Sequence, residues 1–167
     1  MIRNFVVMGV SGCGKSSIGA GFAATIGADY IDGDDLHPKS NVNKRAAGHP
    51  LNDDDRAPWL TEVGKLFAGS DHRLVIGCSA LKRQYRDIIR ENAADPVAFL
   101  HLSGSRTVIA ERMSTRSDHF MPLTLLDSQF ADLEPPEADE ISVTVDIDQT
   151  PDAIIDALTA HFLEEKT

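Results

Sequence analysis

The sequence predicts an α/β fold in which a five-stranded parallel sheet is covered by helices on both faces, as a three-layer sandwich. Two observations support this fold class. Continuous apolar runs of strand length alternate with segments of helical apolar spacing, which is typical of parallel strands joined by right-handed helical crossovers. A glycine-rich turn directly follows the first apolar run. We therefore expect ligands to bind beyond the carboxyl ends of the strands.

The predicted strands share an apolar character that suits burial on both faces of a sheet. The first run precedes the glycine-rich turn, and the second is short and leads into Gly33. The remaining runs are rich in Val, Ile, Leu and Phe, which favour strands. Strands are predicted over residues 2–8, 30–32, 74–78, 97–102 and 141–145.

The predicted helices are recognised by apolar spacing and by residues typical of helix ends. Gly27 follows the first helix as a stop signal, and Pro151 suits the first turn of the last helix. Trp59 and Phe67 lie on one apolar face and are expected to be core residues. Helices are predicted over residues 15–26, 53–67, 81–92, 105–115, 123–133 and 151–163.

Length and charge restrict the organisation and the partners of the chain. Its 167 residues suit a single domain, 1–167, with a helical flap at about 37–60 and a polar lid at about 116–122. The net charge is −10, from 16 basic and 26 acidic residues, so nucleic acid is not an expected partner. The apolar runs are too short for a signal peptide or a membrane span. We expect a cytoplasmic protein without membrane contacts.

The glycine-rich turn matches the phosphate-binding P-loop pattern G-x-x-x-x-G-K-[ST] at every fixed position. Its glycines allow successive backbone N–H groups to face phosphate oxygens, and the helix that follows adds its positive dipole end. The alternative is a glycine-rich turn beside an exposed lysine, but a strand before and a helix after the motif favour phosphate binding, with Mg²⁺ at the Ser16 hydroxyl. The predicted nucleotide contacts are Gly9, Val10, Ser11, Gly12, Cys13, Gly14, Lys15, Ser16 and Ser17.

Two absences and one acidic turn restrict the class of P-loop protein. The strand at 74–78 ends without the magnesium-binding aspartate of many ATPases, and no Asn-Lys-x-Asp motif for guanine is present. Asp32, Asp34 and Asp35 follow the second strand instead. One carboxylate there suits magnesium binding and another suits a hydroxyl that attacks the γ-phosphate. A solvated acidic turn explains the same residues, and the spacing leaves both interpretations open.

Basic side chains in this acidic chain are candidates for anion binding. Lys82 and Arg86 lie on the helix after the third strand, and Ser79 is its predicted N-terminal cap. Arg112 and Arg116 share a helical face and suit either ion pairs or the charge of a transferring phosphoryl group. A solvated basic surface is the alternative for each of them.

Several longer motifs resemble those of small P-loop gluconokinases, which are related to shikimate kinases and adenylate kinases. The P-loop is generic, whereas the His-Pro, Asp-Arg-x-Pro-Trp and Ser-Ala-Leu-Lys stretches are far more specific. The matching stretches run in family order along almost the whole chain, at residues 8–16, 32–38, 48–60, 78–82, 85–86, 116–120, 128–130 and 145–148. Cys13 departs from the pattern, because a serine is common there.

The resemblance implies an activity and a set of residue roles. ATP and D-gluconate would give ADP and 6-phospho-D-gluconate, in a homodimer that uses Mg²⁺. The implied catalytic residues are Lys15, Asp34 and Arg116, and the implied magnesium ligands are Ser16 and Asp32. Arg112 and Asp148 would border the nucleotide. The implied substrate contacts are Asp34, His37, Arg56, Ser79, Lys82, Arg86, His119 and Gln129.

Two alternatives stay open at the level of sequence. The same phosphoryl transfer can serve another small anionic acceptor such as shikimate, because the P-loop does not specify the acceptor. A nucleoside monophosphate is less suitable, because the chain lacks a longer base-reading insert. A nucleotide-binding switch without turnover is the second alternative, against which the intact Lys15, Ser16, Asp32 and Asp34 argue.

Overall fold

The computed structural model describes residues 2–114 and 123–163, which form one five-stranded parallel sheet with helices on both faces. This architecture confirms the predicted α/β fold class. The strands are β1 (Asn4–Met8), β2 (Asp29–Asp32), β3 (Leu74–Gly77), β4 (Val97–Ser103) and β5 (Ser142–Asp146). The strand order is β2-β3-β1-β4-β5, and Val6 of the central strand pairs with Ile76 and Phe99 of its two neighbours.

The helices pack on the sheet through two apolar clusters, one for each face. The helices are α1 (Lys15–Ile26), α2 (Lys39–Ala46), α3 (Asp53–Ala68), α4 (Arg83–Asn92), α5 (Arg106–Ser114), α6 (Leu123–Asp132) and α7 (Pro151–Leu163). The first cluster contains apolar side chains of α1, α5, α6 and α7, and the second those of α3 and α4. Trp59 and Phe67 belong to the second cluster, which confirms them as core residues.

Local chemistry explains where the elements near the P-loop and flap begin. Gly14 precedes α1 with a φ of 96°, a left-handed conformation that favours glycine. α3 begins with a capping box, because the Asn52 side chain accepts from the Asp55 N–H and the Asp55 side chain accepts from the Asn52 N–H. A 3₁₀ turn, Gly33–Leu36, follows β2 directly. The predicted flap is therefore helical, with α2 and the start of α3 inside it.

The start of α4 differs from the sequence prediction. The helix begins at Arg83, with Lys82 in the N-cap position and no side-chain cap, so Ser79 does not cap it. The Ser79 carbonyl instead accepts from the Gly9 N–H at 3.2 Å, which extends the chain beside β1. Ala80 then takes a left-handed φ of 44°, which delays the helix. Across residues 2–114 and 123–163, no helix has both the length and the apolar character that a membrane span requires.

Candidate active site

A cavity of about 950 Å³ lies where the P-loop, the turn after β2, the flap and α6 meet. This is the carboxyl end of the sheet, where ligands of open α/β folds bind. Its wall contains P-loop residues, carboxylates, cations and aromatic rings. Among the residues that line it are Ser11, Gly12, Gly14, Lys15, Ser16, Tyr30, Asp32, Asp34, His37, Arg45, His49, Arg56, Trp59, Ser79, Met113, Leu125 and Gln129.

The P-loop adopts a conformation that depends on its glycines. Gly12 has a φ of 83°, and a Cβ atom there would lie 2.7 Å from Cγ of Met113. Lys15 begins α1, and its Nζ donates to the carbonyl oxygens of Gly9 and Val10 at 3.0 and 3.1 Å. The positive end of the α1 dipole and the Lys15 ammonium therefore lie at one side of the cavity, as anion binding requires.

Gln129 of α6 bonds to the P-loop through both atoms of its amide. Its Oε1 accepts from the Ser11 N–H at 2.7 Å, and its Nε2 donates to the Ser11 Oγ at 3.0 Å. Gln129 also lines the cavity, so it lies where the sequence placed a substrate contact. Its hydrogen-bond partner in this structure is the P-loop.

The turn after β2 presents two carboxylates to the cavity. Asp32 caps the turn, because its Oδ1 accepts from the Asp34 N–H at 3.0 Å. The Asp34 side chain is exposed, and its Oδ1 lies 3.8 Å from Nε2 of His37. Trp59 supports the same turn, since its Nε1–H donates to the Gly33 carbonyl at 2.7 Å. Both aspartates therefore lie beside the P-loop in a turn that is fixed from two sides.

His37 is held as a neutral ring in the cavity wall. Its ring stacks on Trp59 with centroids 4.0 Å apart and planes 18° apart. Burial, together with the charges of Arg45 and Arg56, lowers the pKa of His37 to about 4. At neutral pH the imidazole is consequently uncharged and acts as one donor and one acceptor.

Arg56 is the predicted substrate contact whose surroundings best suit a carboxylate. It lines the cavity, and its Nη1 donates to the Tyr85 hydroxyl at 3.3 Å and lies 3.9 Å from Oδ1 of Asp53. Tyr85 in turn donates to Asp53. Lys82 pairs with the same Oδ1 at 3.5 Å but does not line the cavity. Asp53, in the first turn of α3, therefore positions both cations.

Arg45 and His49 line the cavity although the sequence analysis assigned them no role. Arg45 lies in the last turn of α2, and its position in a polar flap helix resembles that of any surface arginine. His49 belongs to the Gly-His-Pro stretch of the family motif, so the motif could have identified it as a candidate site residue. Arg45 and Arg56 give one wall of the cavity a cationic character.

Arg86 does not line the cavity, which corrects its prediction as a substrate contact. Its side chain is fully buried, and its Nε and Nη2 donate to the two carboxylate oxygens of Glu140 at 2.7 and 3.2 Å. Its Nη1 donates to the Ala80 carbonyl at 2.9 Å. The guanidinium therefore has a structural role, because it neutralises a buried carboxylate and stabilises the segment before α4.

Three other predicted nucleotide contacts, Arg112, Asp148 and Ser17, do not line the cavity. Arg112 donates to the Ile147 carbonyl, and the Asp148 N–H donates to Oδ1 of Asp146 at 2.8 Å. The first of these bonds connects α5 to the loop after β5, and the second lies within that loop. Ser17 is exposed in the first turn of α1. Arg116 and His119 lie outside the described residues.

Comparisons with known proteins identify the family. No protein-family model matches the chain. A gluconokinase from Gluconobacter oxydans (strain 621H) is 42% identical over 166 residues, which cover 98% of this chain and 93% of that protein. The chain belongs to the gluconokinase family. The crystal structure of a gluconokinase from Sinorhizobium meliloti 1021 is 45% identical, with a TM-score of 0.86 over 98% of this chain and 97% of that one.

Shikimate kinase is a distant neighbour of this gluconokinase-family chain. The enzyme from Aquifex aeolicus vf5 has a TM-score of 0.64 over 98% of both chains but is only 12% identical. That likeness shows a shared fold alone. The protein is therefore a kinase of the gluconokinase family on a shikimate-kinase-like P-loop fold, and the hypothesis of a switch without turnover is wrong.

The gluconokinase site has residues that fit ATP and Mg²⁺. A P-loop kinase family implies ATP as the phosphoryl donor. Ser16 and Asp32 line the same cavity and offer the hydroxyl and carboxylate oxygens that Mg²⁺ prefers. Gly12 and Gly14 have left-handed φ angles and carry no Cβ atom, which allows a phosphate to approach the backbone closely at these two positions.

Proposed function

We propose that this protein transfers the γ-phosphoryl group of ATP to a hydroxyl of D-gluconate and releases ADP and 6-phospho-D-gluconate. One observation supports the proposal above others. A single cavity contains the P-loop, the carboxylate turn after β2 and a wall with Arg45 and Arg56. The chemistry needs these three components together: a site for triphosphate, a group for the attacking hydroxyl and cations for a sugar acid.

The P-loop side of the cavity would bind the donor. The N–H groups at the start of α1 and the Lys15 ammonium suit the β- and γ-phosphates. Ser16 and Asp32 would hold Mg²⁺, which neutralises charge on the phosphate oxygens. Arg112 and Asp148 are proposed to border the nucleotide, and Arg116 is proposed to stabilise the transferring group.

Asp34 is the proposed partner of the attacking hydroxyl. In the transfer, the hydroxyl oxygen forms a bond to the γ-phosphorus, the bond from that phosphorus to the ADP oxygen breaks, and Asp34 accepts the hydroxyl proton. The exposed Asp34 carboxylate faces the cavity beside His37. Its position next to the P-loop supports this role.

Arg56 is the proposed site for the carboxylate of gluconate. A guanidinium binds a carboxylate through two parallel N–H donors, and Arg56 is the predicted cation that both lines the cavity and is oriented by Tyr85. Lys82 is proposed to act through Asp53, which it shares with Arg56. Ser79, His119 and Gln129 remain proposed substrate contacts, and the homodimer and the cytoplasmic location remain predictions.

The first test is release of ADP with ATP and Mg²⁺ in the presence of gluconate, shikimate, AMP or glucose. We expect turnover with gluconate alone. Turnover with shikimate instead would retain the phosphoryl chemistry and contradict the acceptor.

Asp34→Asn tests the proposed proton acceptor. We expect the kcat to fall about 100-fold or more, because a positioned acid or base contributes roughly 10²–10⁴-fold, while ATP binding measured by calorimetry is retained. Asp35→Asn is the matched control, since Asp35 is an exposed neighbour on the same turn that does not line the cavity. Equal activity of the two variants would contradict the role of Asp34.

A further inference from the structure

Asn41 of α2 is a buried polar side chain that contacts the cavity wall from behind. It is 3% exposed. Its Nδ2 lies 2.8 Å from the Asp55 carbonyl oxygen and 3.2 Å from Nδ1 of His37. Neither the motifs nor the composition indicated a role for this residue.

The chemistry of these contacts determines which atom donates. A carbonyl oxygen only accepts hydrogen bonds, so the Asn41 atom beside Asp55 must be the amide nitrogen. That nitrogen has two hydrogens and no acceptor capacity. It therefore also donates to Nδ1 of His37, which must accept through its lone pair. A neutral imidazole with an unprotonated Nδ1 has its proton on Nε2.

The protonated Nε2 lies near the predicted catalytic carboxylate. Nε2 lies 3.8 Å from Oδ1 of Asp34, and both residues line the cavity. Stacking on Trp59 fixes the plane of the ring, and the lowered pKa of about 4 keeps the ring neutral at pH 7. Trp59 is itself fixed by its bond to the Gly33 carbonyl.

We propose that Asn41 is a positioning residue that holds His37 as the Nε2–H tautomer and thereby directs this N–H toward Asp34 and the acceptor hydroxyl. The kinetic part of this proposal rests on the proposed function. The tautomer itself depends on the fold alone, so it can be measured without any turnover.

NMR spectroscopy of ¹⁵N-histidine-labelled protein tests the tautomer directly. The chain has 6 histidines, and the His37 signals are assigned by their loss in His37→Gln. We expect the wild-type ring to show an unprotonated Nδ1 and a protonated Nε2 at pH 7. In Asn41→Asp the carboxylate only accepts, so we expect Nδ1 to become protonated.

Asn43→Asp is the matched control, because it adds the same charge to an exposed position of the same helix. It should leave the His37 signals as in the wild type. At a pH where the NMR spectrum shows His37 of Asn41→Asp to be neutral, we expect the kcat to fall about tenfold, as for one lost hydrogen bond. The KM for ATP should stay within about twofold of the wild type, because the P-loop is unchanged.

Two results would overturn the proposal: a wild-type His37 protonated on Nδ1, or an Asn41→Asp variant whose His37 signals and kcat match those of Asn43→Asp. If Asn41→Asp does not fold, the wild-type spectrum still decides, and Asn41→Leu should show both tautomers because the directing donor is absent. A wild type without gluconate turnover would contradict the proposed function and leave the tautomer test intact.

Discussion

Replacing Glu140 by glutamine removes the carboxylate that keeps buried arginine charge paired. The Glu140 side chain is 1% exposed, and its oxygens accept from Arg86 at 2.7 and 3.2 Å, from Arg90 at 2.8 Å and from the Glu137 N–H at 2.7 Å. Removing one partner of a buried pair costs about 3–5 kcal/mol, because the other charge remains in the interior. We therefore expect Glu140→Gln to destabilise the fold by about that amount.

The pKa of Glu140 gives an independent value for the same effect. Burial alone would raise this pKa, but the hydrogen bonds from Arg86, the Glu137 N–H and Arg90 lower it from 4.5 to about 2. At about 1.4 kcal/mol for each pH unit, the ionised carboxylate contributes about 3 kcal/mol at neutral pH. Because the pKa is lower in the folded protein, this contribution is present above pH 4.5 and is lost as the pH falls toward 2.

Urea and thermal denaturation at pH 7 measure the expected loss. A change of about 3 kcal/mol corresponds to a fall in Tm of roughly 6–12 °C for a domain of this size. Glu137→Gln is the control, because the pair of Glu137 with Arg83 is exposed and exposed ion pairs contribute little to stability. The difference between wild type and Glu140→Gln should shrink below pH 4.5. A loss equal to that of Glu137→Gln would refute the reasoning.

Three further predictions concern the site. Arg56→Lys keeps the positive charge but removes the two parallel N–H donors of the guanidinium, so the KM for gluconate should rise about tenfold with the KM for ATP unchanged. A variant whose KM for gluconate equals that of the wild type would contradict this prediction. A Cβ on Gly33 would overlap the Gly77 carbonyl oxygen, so Gly33→Ala should shift the carboxylate turn and lower kcat; wild-type kcat would exclude this. Cys13 is 1% exposed and burial raises its pKa, so a disulfide reagent should label it only after unfolding, whereas rapid labelling of native protein would contradict its burial.

The sequence predicted those parts of the fold that depend on local chemistry. The P-loop was recognisable because phosphate binding requires glycines and a lysine at fixed spacing, and the glycine at the end of α1 marked its boundary. The five strands were recognisable because burial on both faces leaves continuous apolar runs. The boundary of α4 was wrong because the left-handed φ of Ala80 has no signal in an alanine.

Side chains whose roles depend on distant partners were not predictable from the sequence. Arg86 looked like part of a basic helical face, and its burial depends on Glu140, which is 54 residues away. The bond from Gln129 to the P-loop joins residues 118 apart. Arg45 gave no signal, because a cation at the end of a polar helix has the same pattern whether it faces solvent or a cavity.

The two apolar clusters divide the enzyme by task as well as by space. The first cluster anchors α1 behind the P-loop, whereas the second anchors α3, which presents Arg56 and Trp59 to the cavity. Leu133 packs against both clusters, and the sheet otherwise separates them. Under the proposed function, substitutions in the α3 layer would alter the cavity wall that carries Arg56 and leave the packing of α1 behind the P-loop unchanged.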